Sequence, residues 1–395
     1  MNKKLIALAV AGAVCGPVAA LADDSTVTIY GKINAGMESI QATGATNSAQ
    51  DVKSRIRVVD DYSYIGFRGV EPLGGNLNAF FQVEQLVKID SAGGNLTTGG
   101  ASSNTWASRN SGVGLRGGFG EILLGRWDVY YSDHVVGGLD ATFTYTDMAS
   151  TALAILSQDG NLTSAHGLGP GFAFAGGRLN NIVRYASPNW GGFSFRANYQ
   201  APEGKTAAAP CNNCTPDLWN GVLQFQTPNF AAAYSYIKGN DQGSIASNEY
   251  TGHKVALSGT FSGFQIGAVG ERLQHKADAN AVVVGLGAQD CKRNVYAGFA
   301  GYRQGPWGVT GTYGVARNVS GTCPLGTDDT GAKYYQLTGT FNFSKRTNVY
   351  LTYAKVANDA HAAYDFFNQG GLSDTTPIGA GSDPQTIVLC VGHFF

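Results

Sequence analysis

Three groups of residues in this chain have types and spacings that could do chemistry. Cys211-Asn-Asn-Cys214 is a CxxC, a spacing used for zinc sites and for redox disulfides. It has no second CxxC, no neighbouring histidine pair and no βαβ pattern around it, so no metal site is expected. Gly112-Val-Gly114-Leu-Arg-Gly117 spells GxGxxG, which cradles a dinucleotide only where it joins a strand to a helix N-terminus. Here a second alternating segment follows, so these glycines are expected to serve close packing and a turn. The histidines at 134, 166, 253, 275, 361 and 393 show no HExxH or paired spacing, and there is no GxSxG. The signatures of a zinc protease and of a nucleophile-elbow hydrolase are therefore missing, and no cofactor is expected. The third group is electrostatic. Residues 127–177 carry Asp128, Asp133, Asp140, Asp147 and Asp159 with neither Lys nor Arg. Arg68, Arg184 and Arg196 recur on the polar faces of alternating segments elsewhere. Charges arranged in this way can bias the passage of ions without making or breaking a bond.

The segments that would position these charges alternate with a period of two. In Val27–Met37, Val27, Ile29, Ile33, Ala35 and Met37 share one face, and Thr28, Tyr30, Lys32 and Asn34 share the other. At the far end Ile387, Leu389, Val391, His393 and Phe395 alternate with Thr386, Val388, Cys390, Gly392 and Phe394. A strand that runs to an aromatic last residue, Phe395, is the expected closing strand of an outer-membrane barrel. The other terminus agrees. Met1-Asn-Lys-Lys is a basic region, Leu5 to Val14 is apolar, and Ala20-Leu-Ala22 is a small-x-small cleavage site. Residues 1–22 are thus expected to be a removed signal peptide and 23–395 one barrel domain.

Composition fits that reading. Glycine is abundant (55), tyrosine and phenylalanine number 19 and 20, and charged residues make up only 14%. Past the signal no apolar run approaches the roughly 18 residues a membrane-spanning helix needs. A barrel instead hides its hydrophobicity in alternation. A formal net charge of −1 gives no footprint for nucleic acid.

Turn-rich stretches at 71–76, 117–120, 188–191, 227–229, 262–263, 304–306 and 344–347 are short. Between them lie longer polar stretches near 39–61, 88–105, 127–177, 201–217, 239–251, 275–293, 318–332 and 356–384. Seven short turns and eight long loops join sixteen strands, an all-β antiparallel transmembrane barrel with its short turns on the periplasmic side. The strands are expected near 26–38, 63–71, 77–87, 106–117, 121–127, 178–187, 193–201, 218–227, 231–239, 252–261, 264–274, 294–303, 307–317, 333–342, 348–355 and 385–395. Phe195, Tyr199, Phe225, Phe261, Phe264, Phe299, Tyr353 and Phe395 fall on the outward parity, where aromatic girdles meet the membrane interfaces. Export permits disulfides. With Cys15 in the signal, a loop staple is expected at either Cys211–Cys214 or Cys291–Cys323.

Several segments resemble a known family. Ser63-Tyr-Ile-Gly-Phe-Arg-Gly-Val-Glu-Pro-Leu-Gly-Gly75, the run from Gly112 to Arg126, Asn180-Asn-Ile-Val-Arg-Tyr-Ala-Ser-Pro-Asn-Trp-Gly-Gly-Phe193, Phe343-Ser-Lys-Arg-Thr347 and the terminal Gly-His-Phe-Phe are similar to segments of the general-diffusion porins of the β-proteobacterial and neisserial type. The resemblance implies a homotrimer of sixteen-stranded barrels, with a long third extracellular loop folded into each lumen. It also implies an arginine cluster at the constriction of anion-preferring members. Arg109 and Arg178 stand at two of those positions, while the third is Tyr64 here, a departure that weakens the implied anion selectivity. Arg184 and Arg68 are expected to reach the same lumen, facing Asp133 and Asp140 of the loop. The expected activity is passive diffusion of small hydrophilic solutes and ions, with no enzymatic step. The expected surroundings are outer-membrane lipid, lipopolysaccharide and the barrel-assembly machinery, which would engage the C-terminal strand. The competing readings are a channel selective for a sugar or a carboxylate, for which Tyr130, Tyr131, Phe143 and Tyr145 supply aromatic rings, a barrel lipase, and an adhesive barrel with a plugged lumen.

Overall fold

The computed structural model describes residues 26–90, 106–131, 154–156, 178–202, 214–241, 247–278, 288–323, 326–366 and 378–395. The described strands are β1 (Thr26–Thr43), β2 (Val52–Asp60, resuming as Tyr64–Gly74), β3 (Leu77–Leu86), β4 (Ser111–Gly117), β5 (Gly120–Asp128), β6 (Arg178–Ala186), β7 (Phe193–Gln200) and β8 (Asp217–Gln226). They continue as β9 (Phe230–Asn240), β10 (Glu249–Phe261), β11 (Phe264–Ala277), β12 (Gln289–Gln304), β13 (Trp307–Ala316, resuming as Ser320–Thr322), β14 (Ala332–Asn342), β15 (Thr347–Asn358) and β16 (Asp383–Phe394). β2 and β13 each count once, because both of their parts lie along the same neighbour, β1 and β12 respectively.

Every pairing is antiparallel and sequential, and β1 returns to pair with β16 from Lys32↔Phe394 to Thr43↔Asp383. Closure is what a lipid environment demands, since an open edge would leave N–H and C=O groups unsatisfied at several kcal/mol each. Phe395 completes the seam. Its backbone exchanges two hydrogen bonds with Gly31, at 3.1 and 3.2 Å, and its ring occupies the space that a Cβ at Gly31 would need.

The alternation read from the sequence sets the two faces. Val27, Ile29, Ile33 and Met37 of β1 and Ile387, Leu389 and Val391 of β16 are exposed on the outside, whereas Asn34, Glu38, Thr386 and Cys390 are buried inside. Aromatic pairs ring the outer face. Phe193–Phe225, Phe264–Tyr302 and Trp307–Phe341 lie at the short-turn rim with centroids 4.5–4.6 Å apart. Tyr199–Trp219 lies toward the long-loop rim at 4.2 Å. The short turns occur where turn residues cluster. Ser262 and Gly263 both have positive φ, 47° and 83°, the two-residue geometry whose twist suits a hairpin.

Three expectations are corrected. Residues 39–61 are loop only between 44 and 51. β1 runs to Thr43 and β2 begins at Val52, because the charges of this stretch find partners across the sheet, Arg57 on Glu38 at 2.6 Å. β4 starts at Ser111 rather than 106, so Arg109 precedes the strand. Phe299 points inward and is buried, its ring lying over Gly267.

That last correction reflects a property of the wall. The inner face is not polar throughout. Val269, Val295, Ala297, Phe299, Ala316, Ala332, Tyr334 and Val356 form an apolar cluster with Ala154, Ile155 and Leu156, and with Tyr364, Phe366 and Ile378 from the last long loop. These residues of the connecting segments thus pack in one cluster with residues of the strands.

Candidate functional site: the charged inner wall

The inward parity of β1 to β7 assembles a ladder of guanidinium groups and aromatic rings. Arg68 of β2 faces inward opposite Thr28, with its guanidinium 5.1 Å from the Tyr30 ring. Arg109 lies 4.7 Å over Tyr64 and pairs with Glu84 of β3. Tyr30 donates from its hydroxyl to the same carboxylate at 3.2 Å. Arg178 pairs with Asp128 at 2.9 Å and donates to Asn110 at 3.0 Å. Arg184 pairs with Glu121 at 2.6 Å, lies 4.4 Å over Trp127 and donates to the Tyr130 hydroxyl. Arg196 covers the Tyr130 ring at 4.8 Å.

The entry to the third long loop is fastened to this wall. The Tyr130 N–H donates to Asn220 Oδ1 of β8 at 2.8 Å, and Asn198 donates to the Asp128 carbonyl at 2.8 Å. Tyr131 accepts from Lys254 Nζ of β10 through its carbonyl at 3.0 Å. Its ring fills the space beside Gly252. Burial first, and then the Glu271 carboxylate, push the Tyr131 phenol well above its ordinary range, so it stays neutral. Lys254 and Arg293 share Glu271 at 3.2 and 3.5 Å, and Arg293 donates to the Tyr364 hydroxyl at 3.1 Å. Farther along the loop, Ile155 sits in a hollow over Gly314 of β13.

Of the residues expected at the constriction, Tyr64 and Arg68 lie in β2, Arg178 and Arg184 in β6, and Arg109 just before β4. Asp133 and Asp140 lie outside the described residues. The expected division into an acidic loop and a basic wall needs correction, because Glu84, Glu121 and Glu271 stand on the wall beside the cations they neutralise. Sequence reasoning missed these acids and also Arg116, although their strand parity marks each of them as inward. The disulfide Cys291–Cys323 is formed, with Cα atoms 5.1 Å apart. Cys291 lies within β12 rather than in a loop. Cys214 is also disulfide-bonded, and Cys211 lies outside the described residues. Among the described residues no group of acids, histidines and cysteines could hold a metal ion.

A closed sixteen-stranded barrel with an apolar, aromatic-girdled outside and a charged inside is a membrane-spanning channel of the outer-membrane kind. The chain belongs to the Gram-negative porin family, whose model matches residues 7–361, and it is a passive channel of the outer membrane. It is 29% identical over 371 residues to the major outer membrane protein P.IB of Neisseria gonorrhoeae, covering 89% of this chain and 92% of that one. In fold it is similar to the anion-selective porin from Comamonas acidovorans, with a TM-score of 0.70 at 20% identity, covering 94% of this chain and all of that one. It is also similar to the trimer form of OmpT from Vibrio cholerae, with a TM-score of 0.61 at 13% identity, covering 94% of this chain and all of that one.

Proposed function

We propose that small hydrophilic solutes and ions diffuse down their own gradients through a constriction between the third long loop and the arginine ladder of β2 to β7, with no catalytic step. The observation that carries this reading is the clamp on Tyr130. Arg184 bonds its hydroxyl and Arg196 covers its ring, which fixes the start of the loop against the inner wall. Docking of Ile155 on β13 supports a path for the loop across the lumen. Barrels of this strand number are otherwise open channels, so the loop sets the size limit.

The field in this zone is nearly balanced, because Arg109, Arg178 and Arg184 each face a carboxylate. Arg68 and Arg116 are exposed and form no ion pair among the described residues, the carboxylate opposite Arg116, Glu121, being paired with Arg184. They tip the lumen toward anions. The working form is a homotrimer in outer-membrane lipid and lipopolysaccharide, delivered by cleavage of residues 1–22 and inserted by barrel-assembly machinery that engages the C-terminal strand. The zero-current potential of the reconstituted protein across a KCl gradient tests the selectivity. The expected sign is that of excess chloride permeability, and the opposite sign would show that carboxylates dominate.

A further inference from the structure

Two stretches of the inner wall carry the same small construction. In β2, Gly66-Phe-Arg68 turns Gly66 and Arg68 inward, and Tyr30 of β1 stands directly opposite Gly66. In β4, Gly114-Leu-Arg116 turns Gly114 and Arg116 inward, and Phe80 of β3 stands directly opposite Gly114. Each glycine leaves a gap that its cross-strand ring fills. The Tyr30 ring occupies the place of a Cβ on Gly66, and Phe80 Cζ comes within 2.7 Å of a Cβ on Gly114. Each ring is thereby laid against the wall. The arginine two residues along then covers it, Arg68 at 5.1 Å from the Tyr30 centroid and Arg116 at 5.8 Å from that of Phe80.

The two units frame one surface. Gln82 of β3 lies opposite Arg68, and Asn78 of the same strand lies opposite Arg116. Phe80 falls between Asn78 and Gln82 on the inward parity. The surface is on the short-turn half of the barrel, since Arg116 immediately precedes the 117–120 turn. It adjoins the Tyr130 clamp through Glu121, which stands opposite Arg116 and pairs with Arg184 at 2.6 Å. Its two cations differ from Arg109, Arg178 and Arg184, whose carboxylate partners occupy their hydrogen-bonding edges.

A guanidinium held over a ring is a planar, weakly hydrated cation whose other face can stack on a second planar group. Its N–H edges remain able to hold a carboxylate. We propose that Arg68 and Arg116 form a pair of stacking platforms that retain planar conjugated carboxylates, such as aromatic acids, in preference to saturated carboxylates of the same charge and size. The amides of Asn78 and Gln82 supply further polar contacts along the path between the platforms.

The inference rests on the passive-channel reading, and its test separates the two. Ohmic chloride current through the reconstituted protein tests the channel. Block of that current by benzoate, compared with cyclohexanecarboxylate at equal concentration, tests the platforms. Benzoate is expected to half-block at a concentration about threefold lower, the size of one exposed cation–π contact. Arg68→Gln with Arg116→Gln should bring the ratio to about one. Arg68→Lys with Arg116→Lys keeps the charge and removes the plane, so it should also abolish the ratio. Equal block by the two acids in the unaltered protein overturns the proposal, as does a lysine variant that still discriminates. Heat-modifiable migration on electrophoresis identifies folded barrels, and the comparison in the unaltered protein needs no variant at all.

Discussion

Glu271→Gln is the substitution that most directly probes how the loop is held. Glu271 is fully buried and accepts from Lys254 at 3.2 Å and from Arg293 at 3.5 Å. With an effective dielectric constant of about 20, each contact is worth about 5 kcal/mol before desolvation is counted. Desolvation offsets much of this, and removing one partner from a buried ion pair costs about 3–5 kcal/mol, because it strands the partner charge. Here two cations are left facing a neutral amide, which places the expected loss at the upper end of that range. The assay is urea unfolding of the barrel in phospholipid vesicles, followed by tryptophan fluorescence and by electrophoretic band shift. A fall in midpoint with unchanged m is expected. Replacing all three groups with apolar residues of similar volume (Lys254→Met, Glu271→Leu, Arg293→Met) should recover most of the loss. Because Lys254 also holds the Tyr131 carbonyl, Glu271→Gln should raise the open-channel current noise. A variant within about 0.5 kcal/mol of the parent, the scatter of ordinary surface changes, would refute the claim that this network is a structural clamp.

Other outcomes follow from the same geometry. Ile155→Ala should cost about 2–5 kcal/mol of local packing where the loop meets Gly314, read as larger current fluctuations, with Gly314→Val producing the same phenotype from the opposite side. Glu84→Gln frees Arg109 from its carboxylate, so the zero-current potential should move further toward chloride. Arg184→Gln should move it toward potassium. Cys390 is buried, so a maleimide should label it poorly in the folded barrel and readily in the urea-unfolded chain. Labelling of Cys291 or Cys323 before reduction would contradict the disulfide. Deleting Phe395 removes two backbone bonds at the seam and should lower the yield of heat-modifiable barrel.

Much of the architecture was legible because a lipid-facing strand imposes a strict period. Val27, Ile29, Ile33 and Met37 face out, and the seven short turns fall where turn residues cluster. The failures share a cause. Lys53, Arg55 and Arg57 read as loop because polarity was taken to end the strand, yet β1 and β2 continue past the apolar belt, where polar strands meet water. Phe299 read as outward because an apolar inner face is unexpected for a channel. It becomes intelligible once Ile155 and Phe366 are seen in the same cluster, which a two-residue period cannot reveal. Arg109 and Arg178 were reached through a family resemblance. Glu84 and Glu121, which set the net field beside them, were available from strand parity alone and were passed over, because a carboxylate in a strand carries no motif.

The central claim is an open lumen whose charged wall biases passive flow. Planar-bilayer recording of the purified, refolded protein tests it most directly, first at symmetric KCl and then across a gradient. Ohmic steps arriving in threes and a zero-current potential of the chloride-preferring sign are expected. A heat-modifiable, correctly folded barrel that gives no steps would contradict it.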